Sequence, residues 1–571
     1  MLRWIRCAVL RIIDRHHSEV NAFAELDDAP EKDASVRNCA PQSMVLGNSM
    51  KTPIGVPTSS SDDRSFSVPL DIGRAMAKGT GWTVGTQLAI QVIAMLSTMI
   101  LARLLVPADF GLVAVATALA GALHAITEFS FDLALIHNQN AARREYDAAW
   151  TLSICRNAIL AGALAAGARL IASSFGDERL EPVVYWLALG TFFAGFQNIA
   201  VVDFRKQLAF HRDLVFMVVG KLGPALVTVP LAFIWRDYWA LVAGIVAGSV
   251  FRVALSFAMH KYRPRISFDG WHELLHFSKW LLIGNLCAFI YGRSSTFVLG
   301  KISGASAVGV FTLSGEIAGI ATANLLMPLR RAILPGYAKL ATDVERLRDI
   351  FEDIFAVVFL VSAPLTLGIG LVADPLVRIT LGERWLGAIP LIQILCVGDF
   401  LQAMTAAASP IYIATGRPHY TMVLFAGSAI AMVPLLIIGA ERAGALGAAY
   451  ATLIVTVLSA ALDFVLVDRL LHLSISRLLA GCWRSIISVI VMVAAVIELQ
   501  ALWPISQSFA NLSLMLAAAV AVGGVVYSVC GFMLWILAGR PRGAERHLSE
   551  VIKMLLKGIS QNIYRVRTAH G

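Results

Sequence analysis

Apolar residues dominate the chain from Gly81 to about residue 538, in long stretches separated by short polar segments. A run of about 20 apolar residues is long enough to cross the hydrocarbon core of a membrane as a helix. Fourteen stretches meet this criterion, at 81–105, 110–136, 148–174, 182–203, 214–235, 238–259, 278–300, 305–328, 351–378, 386–412, 420–438, 444–467, 482–501 and 512–538. The pair Asp374-Pro375 is a candidate early end for the ninth, because a residue that precedes proline is disfavoured in a helix. The pattern predicts an all-α polytopic membrane protein.

Composition supports lipid as the solvent for most of the chain. Of the 571 residues, 57% are hydrophobic and only 15% are charged, and the mean hydropathy is +0.71. A typical soluble domain has about 25% charged residues. The formal net charge of +9 therefore does not indicate a nucleic-acid-binding surface. What matters in a membrane protein is where along the chain the basic residues lie.

The seven cysteines are far apart, and no Cys-x-x-Cys pair or Cys/His cluster occurs. This spacing argues against a disulfide framework, a metal site or a metal cofactor. No phosphate-binding loop of the Gly-x-x-x-x-Gly-Lys-Ser/Thr type occurs either, which argues against ATP hydrolysis by that route.

Basic residues are distributed unequally between the two sets of connecting loops. One set, which begins with Arg143 and Arg144, carries eighteen Lys and Arg residues, and the alternate set carries five. Cytoplasmic loops of membrane proteins are enriched in Lys and Arg. The asymmetry therefore predicts that the first set and both chain termini are cytoplasmic.

The same pattern divides the chain into five parts. Residues 1–79 are polar and are expected to form a largely disordered cytoplasmic tail. Residues 80–265 carry the first six predicted spans and are called the N-lobe below, and residues 266–475 carry the next six and are called the C-lobe. Two additional spans occupy 476–538, and 539–571 form a basic cytoplasmic tail.

A short cassette occurs once at the start of each lobe. Residues 101–113 (LARLLVPADFGLV) align without gaps with residues 299–311 (LGKISGASAVGVF), which pairs Arg103 with Lys301 and Gly111 with Gly309. Internal repeats of this kind are typical of transporters whose substrate site lies between the two repeats. We expect the two lobes to be related by an axis along the membrane normal.

The segments 100–105 and 107–113 resemble the opening signature of bacterial polysaccharide flippases of the multidrug/oligosaccharidyl-lipid/polysaccharide exporter superfamily. The segments 133–136, 239–242 and 414–418 are similar to that family in order and spacing. The resemblance covers about 81–470. It implies two six-helix lobes, no enzymatic activity and translocation of an undecaprenyl-diphosphate-linked oligosaccharide for exopolysaccharide, O-antigen or capsule synthesis. The implied location is the bacterial inner membrane, with membrane lipids and polysaccharide assembly proteins as partners and no nucleic acid.

A flippase has to move negative phosphates through a region where an exposed charge is costly, and cationic side chains in a cavity solve this problem. The basic residues deep within predicted spans are the substrate-binding candidates. At about 1.5 Å per residue, Arg293 lies roughly 20 Å from the cytoplasmic end of its span. Arg156, Lys221 and Arg252 lie roughly 12 Å from theirs by the same estimate. Snorkelling to the headgroups is the structural alternative for these cations.

Three carboxylates within spans are candidates for ion coupling or for salt bridges. Glu128 and Asp132 share one face of the second span, and Glu316 lies in the eighth, which is the corresponding span of the C-lobe. Buried carboxylates bind Na⁺ or H⁺ in many transporters, and a salt bridge to a nearby arginine is the structural alternative.

Three other functions remain open from the sequence. A multidrug or metabolite antiporter of the same superfamily would have a more apolar cavity with fewer arginines. A membrane-embedded polysaccharide polymerase or ligase would have a long outer loop, whereas the longest outer connection here is about 502–511. A scaffold without transport activity is the third alternative.

Overall fold

The structure, a computed structural model, describes residues 89–127, 135, 141–207, 209–269, 271–322, 333, 336–338, 340–341, 343–503 and 508–539. In the N-lobe the helices are α1 (Ala89–Leu104), α2 (Pro107–Ile126), α3 (Arg143–Phe175), α4 (Leu180–Ala194), α5 (Asp203–Lys206), α6 (Phe210–Trp235) and α7 (Trp239–Met259). In the C-lobe they are α8 (Trp271–Ile302), α9 (Gly304–Ala318), α10 (Val344–Leu371), α11 (Ala373–Thr380), α12 (Ala388–Thr405), α13 (Ala408–Ala414) and α14 (His419–Leu471). The last two are α15 (Ile475–Leu502) and α16 (Phe509–Leu537).

Each of the fourteen stretches predicted from hydropathy overlaps one of these helices. Within the described ranges, 10 helices are long and apolar enough to cross a membrane, or up to 11 if a bent pair is counted as one span. The bent pair is α4 with residues Ile199–Lys206, at an angle of 70°. The all-α polytopic fold is therefore confirmed.

Two helix boundaries follow the local sequence closely. Helix α10 ends at Leu371, which agrees with an early end of the ninth span. A separate helix, α11, which the sequence did not predict, begins at Ala373 with Asp374-Pro375 in its first turn. Helix α14 contains two of the predicted spans, which are separated by non-helical backbone at Ala443 and Gly444. Gly444 has φ of 55°, a left-handed conformation that a residue without a Cβ adopts readily.

Helix α2 shows why the cassette forms a sharp turn. Pro107 occupies the start of the helix, where its missing N–H would have no intrahelical partner. The Asp109 carboxylate accepts a hydrogen bond from the Val106 backbone N–H, at 3.2 Å. These two features fix the start of α2 directly after α1.

The largest buried apolar cluster contains residues from both lobes. Leu112, Leu164 and Leu187 belong to it in the N-lobe, and Leu299 and Leu436 belong to it in the C-lobe. Helices α15 and α16 pack outside this cluster, where Val496 and Ala519 contact Val372. The cluster thus places α2, α8 and α9 at the interface between the lobes.

Three groups of sequence predictions lie outside the described residues. They are the carboxylates Glu128 and Asp132, the N-terminal tail 1–79, and the C-terminal tail after 539.

Candidate functional site

A cavity of about 490 Å³ lies between α2 of the N-lobe and α8 of the C-lobe. Its α2 wall is formed by Thr117, Ala118, Gly121, His124 and Ala125, and its α8 wall is formed by Ala288, Phe289, Gly292 and Arg293. On each helix these residues lie about one turn apart, so they form a stripe along one face. Most of them are small or polar. The interface between the lobes therefore contains space that is lined mostly by small residues, with three polar side chains, Thr117, His124 and Arg293.

Arg293 is the cation on the wall of this cavity. It lies nine residues before Ile302, the end of α8, or about 13 Å along the helix axis. The hydrocarbon core of a bilayer is about 30 Å thick, which places Arg293 near its middle. Its side chain is exposed to the space of the cavity. A guanidinium at this depth requires water or an anion next to it, since a charge in lipid there costs about 3 kcal/mol.

Two other predicted site residues, Lys221 and Glu316, do not line this cavity, but Glu316 is within electrostatic reach of Arg293. The positive charges of Arg293 and Lys221 both act on the Glu316 carboxylate. No hydrogen bond or ion pair among the described residues joins Glu316 to either cation, so the attraction acts through space. Lys221 belongs to α6 of the N-lobe, whereas Arg293 and Glu316 belong to α8 and α9 of the C-lobe. The structure thus combines charges from both lobes.

The remaining predicted cations lie elsewhere. Arg252 is exposed on α7, seven residues before Met259. Arg156 is half-buried on α3, where the neighbouring Asn157 donates a hydrogen bond to the Ser153 carbonyl at 2.8 Å. Because α3 begins at Arg143, five residues before the predicted span, Arg156 lies about 20 Å from the start of its helix. Neither residue lines the cavity between α2 and α8.

One end of the interface is closed by direct contact between the two copies of the cassette. A Cβ on Gly111 would overlap the Ala305 carbonyl group, and a Cβ on Gly309 would overlap the Pro107 carbonyl group. Helices α2 and α9 therefore touch backbone to backbone, which only glycine allows at these positions. We call this contact the glycine seam.

Two cations bind across the lobes next to the glycine seam. The Arg103 guanidinium donates hydrogen bonds to the carbonyl groups of Ile379 and Thr380, at the C-terminal end of α11 in the C-lobe. The Lys301 ammonium donates to the carbonyl of Ser174, near the C-terminal end of α3 in the N-lobe. Each cation meets a helix C-terminus, where free carbonyl groups and the helix dipole favour positive charge. The repeat paired these two residues, and in the structure each one contacts the opposite lobe.

Trp385 adds a third contact at the same end. It is fully buried, and its indole N–H donates a hydrogen bond to the Ala102 carbonyl at 2.8 Å. Its ring meets Phe110 edge-on, with 5.3 Å between the ring centroids. Sequence reasoning missed Trp385 because it lies in a short segment between two predicted spans. It also missed His124, although the helical spacing of His124 with Thr117 and Gly121 was visible in the sequence.

The site offers no set of ligands for a metal. Within the described ranges, no group of three or more His, Cys, Asp or Glu side chains lies close enough together to hold a metal ion. The chemistry that these residues support is binding of an anion by Arg293 in a cavity between two lobes.

Residues 100–390 match a protein family described as polysaccharide biosynthesis protein. This match covers more than half of the chain. The protein belongs to that family. The resemblance found in the cassette and in the later motifs is thereby confirmed, since the matched range contains most of them.

Several curated proteins are similar over most of their length. The lipopolysaccharide biosynthesis protein WzxC of Escherichia coli (strain K12) is 23% identical over 410 residues, which is 71% of this chain and 83% of WzxC. The succinoglycan biosynthesis transport protein ExoT of Rhizobium meliloti (strain 1021) is 23% identical over 332 residues, 57% of this chain and 66% of ExoT. A putative O-antigen transporter of Shigella flexneri is 24% identical over 245 residues, 41% of this chain and 57% of that protein.

Among solved structures, the lipid II flippase MurJ in an inward closed conformation has a similar fold. The TM-score is 0.64 with 11% sequence identity, and the match covers 80% of this chain and 99% of MurJ. This similarity agrees with the all-α polytopic architecture described above.

Proposed function

We propose that this protein translocates a lipid-linked oligosaccharide across a membrane for polysaccharide biosynthesis, as a transporter and not as an enzyme. The names of the relatives, which include a succinoglycan transport protein and a putative O-antigen transporter, support this class of substrate. The finer assignment is an undecaprenyl-diphosphate carrier that moves from the cytoplasmic to the outer leaflet of a bacterial inner membrane. The loop charges support the orientation with both termini cytoplasmic.

The observation that carries the proposal is the position of Arg293 on the wall of the cavity between the lobes. A guanidinium holds two phosphate oxygens at once in a fixed geometry. The diphosphate of the lipid carrier supplies the anion that a cation near the middle of the membrane needs. Lys221, on the opposite lobe, carries a second positive charge that, like that of Arg293, acts on the Glu316 carboxylate.

Glu316 distinguishes the site without a bound anion from the site that holds the diphosphate. While the cavity holds no anion, its carboxylate offsets the charges of Arg293 and Lys221. An arriving diphosphate competes with Glu316 for the same two cations. The carboxylate is then free to take up a cation or a proton, which couples substrate movement to an ion.

The glycine seam and its two cations close the end of the interface that the loop charges assign to the outside. Release of the sugar on that side requires α2 and α9 to separate, and with them the contacts of Arg103 and Lys301. Transport then consists of a rocking motion that opens each end in turn, while the lipid tail stays in the bilayer.

The test replaces Arg293 and measures polymer export in cells. Arg293→Ala removes the charge and is expected to abolish export, while protein abundance and membrane insertion stay normal. Arg293→Lys keeps the charge without the paired donors and is expected to restore export only in part. Arg442→Ala is the matched control, because Arg442 is an exposed arginine between the two halves of α14 and lies away from the cavity.

A purely structural role for Arg293 predicts a different result. If its function were to neutralise Glu316, Arg293→Ala and Glu316→Gln would each lower protein abundance, and exchange of the two residues would restore it. Normal export by a stably inserted Arg293→Ala protein would exclude the binding role and, with it, the proposed path of the diphosphate.

A further inference from the structure

A pocket of about 320 Å³ lies inside the C-lobe, separate from the cavity that contains Arg293. Its walls come from α8, α12, α13 and both halves of α14. At about 30 Å³ per water molecule, it has room for roughly ten waters. Pockets that hold small organic ligands begin at about 300 Å³. The space is therefore that of a site for a small molecule, since a single bound ion would leave most of it empty.

The walls of this pocket are polar but almost without charge. Ten of its 13 lining residues carry a hydroxyl, amide or carboxyl group, and we call it the hydroxyl pocket. Among the described residues that line it there is no Lys, Arg or His, and Asp463 is the single acid. An acyl chain would leave these polar groups without hydrogen bonds, which is costly. The walls therefore suit a neutral ligand that forms many hydrogen bonds, and not a phosphate group or a lipid tail.

The hydroxyl groups of the pocket offer mainly acceptors. The Thr405 hydroxyl donates to the Gln402 carbonyl at 3.2 Å, and the Ser428 hydroxyl donates to the Leu424 carbonyl at 2.7 Å. A hydroxyl donates one hydrogen bond and can accept two. One that donates to its own helix thus keeps the capacity to accept from a ligand. Such walls are complementary to a ligand that is rich in O–H donors.

Thr421 provides an independent sign of a ligand. Its Oγ1 is buried and has no hydrogen-bond partner among the described residues. Buried polar atoms are nearly always hydrogen-bonded to protein, to water or to a bound molecule. Because Thr421 lines the hydroxyl pocket, the missing partner is expected to come from the contents of the pocket.

The carboxylate and the aromatic rings complete the lining. The Asp463 Oδ1 accepts a hydrogen bond from the Tyr412 hydroxyl at 2.5 Å, which fixes its orientation. The rings of Tyr291 and Phe425 meet edge-on, with 6.4 Å between their centroids. The negative face of an aromatic ring attracts the weakly positive C–H groups of a sugar. Hydrogen-bonding walls and aromatic rings together suit a sugar ring, which has both hydroxyl groups and an apolar face.

The hydroxyl pocket lies in the half of the membrane that the loop charges assign to the cytoplasmic side. Both ends of α14 are on that side. Thr421 lies two residues after the start of α14 and Asp463 eight residues before its end, or about 3 Å and about 12 Å along the axis. Gln402 and Phe425 are exposed, so the pocket is open where they line it.

We propose that the hydroxyl pocket binds a neutral sugar unit of the transported oligosaccharide. Tyr291 precedes Arg293 by two residues, so the pocket and the central cavity lie on different faces of α8. Sugar binding in the pocket therefore does not require a phosphate at Arg293. The assignment to the transported substrate rests on the proposed function, whereas the preference for a neutral ligand with many hydroxyl groups follows from the lining residues.

The test measures binding of a phosphate-free oligosaccharide to the full-length protein in nanodiscs of neutral lipid. The probe is the oligosaccharide that mild acid releases from the lipid-linked fraction of cells that carry this gene, and saturation-transfer NMR follows its titration. Thr421→Val keeps the side-chain shape and removes a hydroxyl that has no described protein partner. It is expected to weaken binding about three- to tenfold, the loss of one hydrogen bond between uncharged groups. Gln402→Leu, at an exposed position, is expected to do the same and carries the test if Thr421→Val does not fold.

Two control variants separate the pocket from other effects. Thr452→Val makes the same change on α14, at a hydroxyl that donates to the Ala448 carbonyl at 2.9 Å and does not line the pocket. It is expected to change binding less than about twofold. Arg293→Ala is also expected to leave binding unchanged, because the released oligosaccharide carries no phosphate.

Three results overturn the sugar site. They are the absence of saturable oligosaccharide binding, equal effects of Thr421→Val and Thr452→Val, and loss of binding in Arg293→Ala but not in Thr421→Val, which would place the sugar in the central cavity. Calorimetry with sodium chloride against choline chloride is the final arm. Saturable sodium binding that Thr421→Val removes, without sugar binding, would assign the pocket to a cation instead. Failure of the proposed function is distinct, since it requires normal export by Arg293→Ala.

Discussion

Removal of the two cations beside the glycine seam is expected to open that end of the interface. Arg103→Met and Lys301→Met keep side-chain length but lose the hydrogen bonds to carbonyl groups of the opposite lobe. A hydrogen bond from a charged group contributes about 1.5–3 kcal/mol. Both side chains are exposed, so water reduces this to about 1 kcal/mol each. The two contacts share no partner and should add. The ratio of closed to open protein then falls about fivefold per variant and about thirtyfold for the pair.

The measurement is the rate at which an impermeant thiol reagent, added outside cells, labels a cysteine at Thr117 on the cavity wall. The native cysteines are replaced beforehand. Because labelling requires opening of the seam, its rate should rise by the factors given above. Arg442→Met removes an exposed positive charge without a described contact across the lobes and should leave the rate unchanged. If the labelling rate of the double variant stayed within twofold of the parent rate, the role of Arg103 and Lys301 in closing the interface would be refuted. An equal rise of the labelling rate in Arg442→Met would refute it as well.

Two further predictions concern stability. Trp385→Phe removes the indole hydrogen bond to Ala102 but keeps most of the buried ring. Thermal unfolding should therefore show a decrease of about 1 kcal/mol in the free energy of unfolding for Trp385→Phe, and a decrease of about 3–5 kcal/mol for Trp385→Ala. If Trp385→Phe and Trp385→Ala lowered the free energy of unfolding equally, the separate contributions assigned to the hydrogen bond and to the buried ring would be contradicted. Burial lowers the pKa of His260 below its ordinary 6.5, although Asp203 opposes this shift. Between the folded pKa and 6.5 the unfolded chain binds more protons, so stability is full above pH 6.5 and falls as the pH falls through that window. His260→Asn should flatten this decline in melting temperature, and an unchanged pH profile would contradict the inference.

The spans were predictable because hydropathy reports directly on the solvent that each residue meets. Every predicted stretch overlaps a helix, and the largest differences are at boundaries, where polar residues continue a helix beyond the lipid. Helix α8 begins at Trp271, seven residues before the predicted start, and α3 begins at Arg143, five residues before. Hydropathy cannot detect such extensions, because helical hydrogen bonding does not require apolar side chains.

The site was predictable only in part. The depth of Arg293 followed from its spacing along the helix, but its position opposite Thr117 and Gly121 depends on how two helices from different lobes pack. The cassette identified Gly111 and Gly309 as equivalent, although nothing in its pattern indicated that the two would touch each other. The hydrogen bond from the Tyr146 hydroxyl to Asp203 was invisible in the sequence, since the two residues are distant along the chain.

The anchoring of the linker between the lobes determines where the chain can bend. The Tyr262 carbonyl accepts from the Asn198 side-chain amide at 2.8 Å, and the Ser267 backbone N–H donates to the Thr151 hydroxyl at 3.0 Å. The linker therefore moves with the N-lobe as far as Ser267. In the rocking motion proposed above, bending of the linker is therefore expected after Ser267 and before α8, which begins at Trp271. A connection this short limits how far the start of α8 can move away from the N-lobe. Arg293 lies on α8, 22 residues after Trp271, so a tilt of α8 about its start would move Arg293 farther than it moves the residues near Trp271.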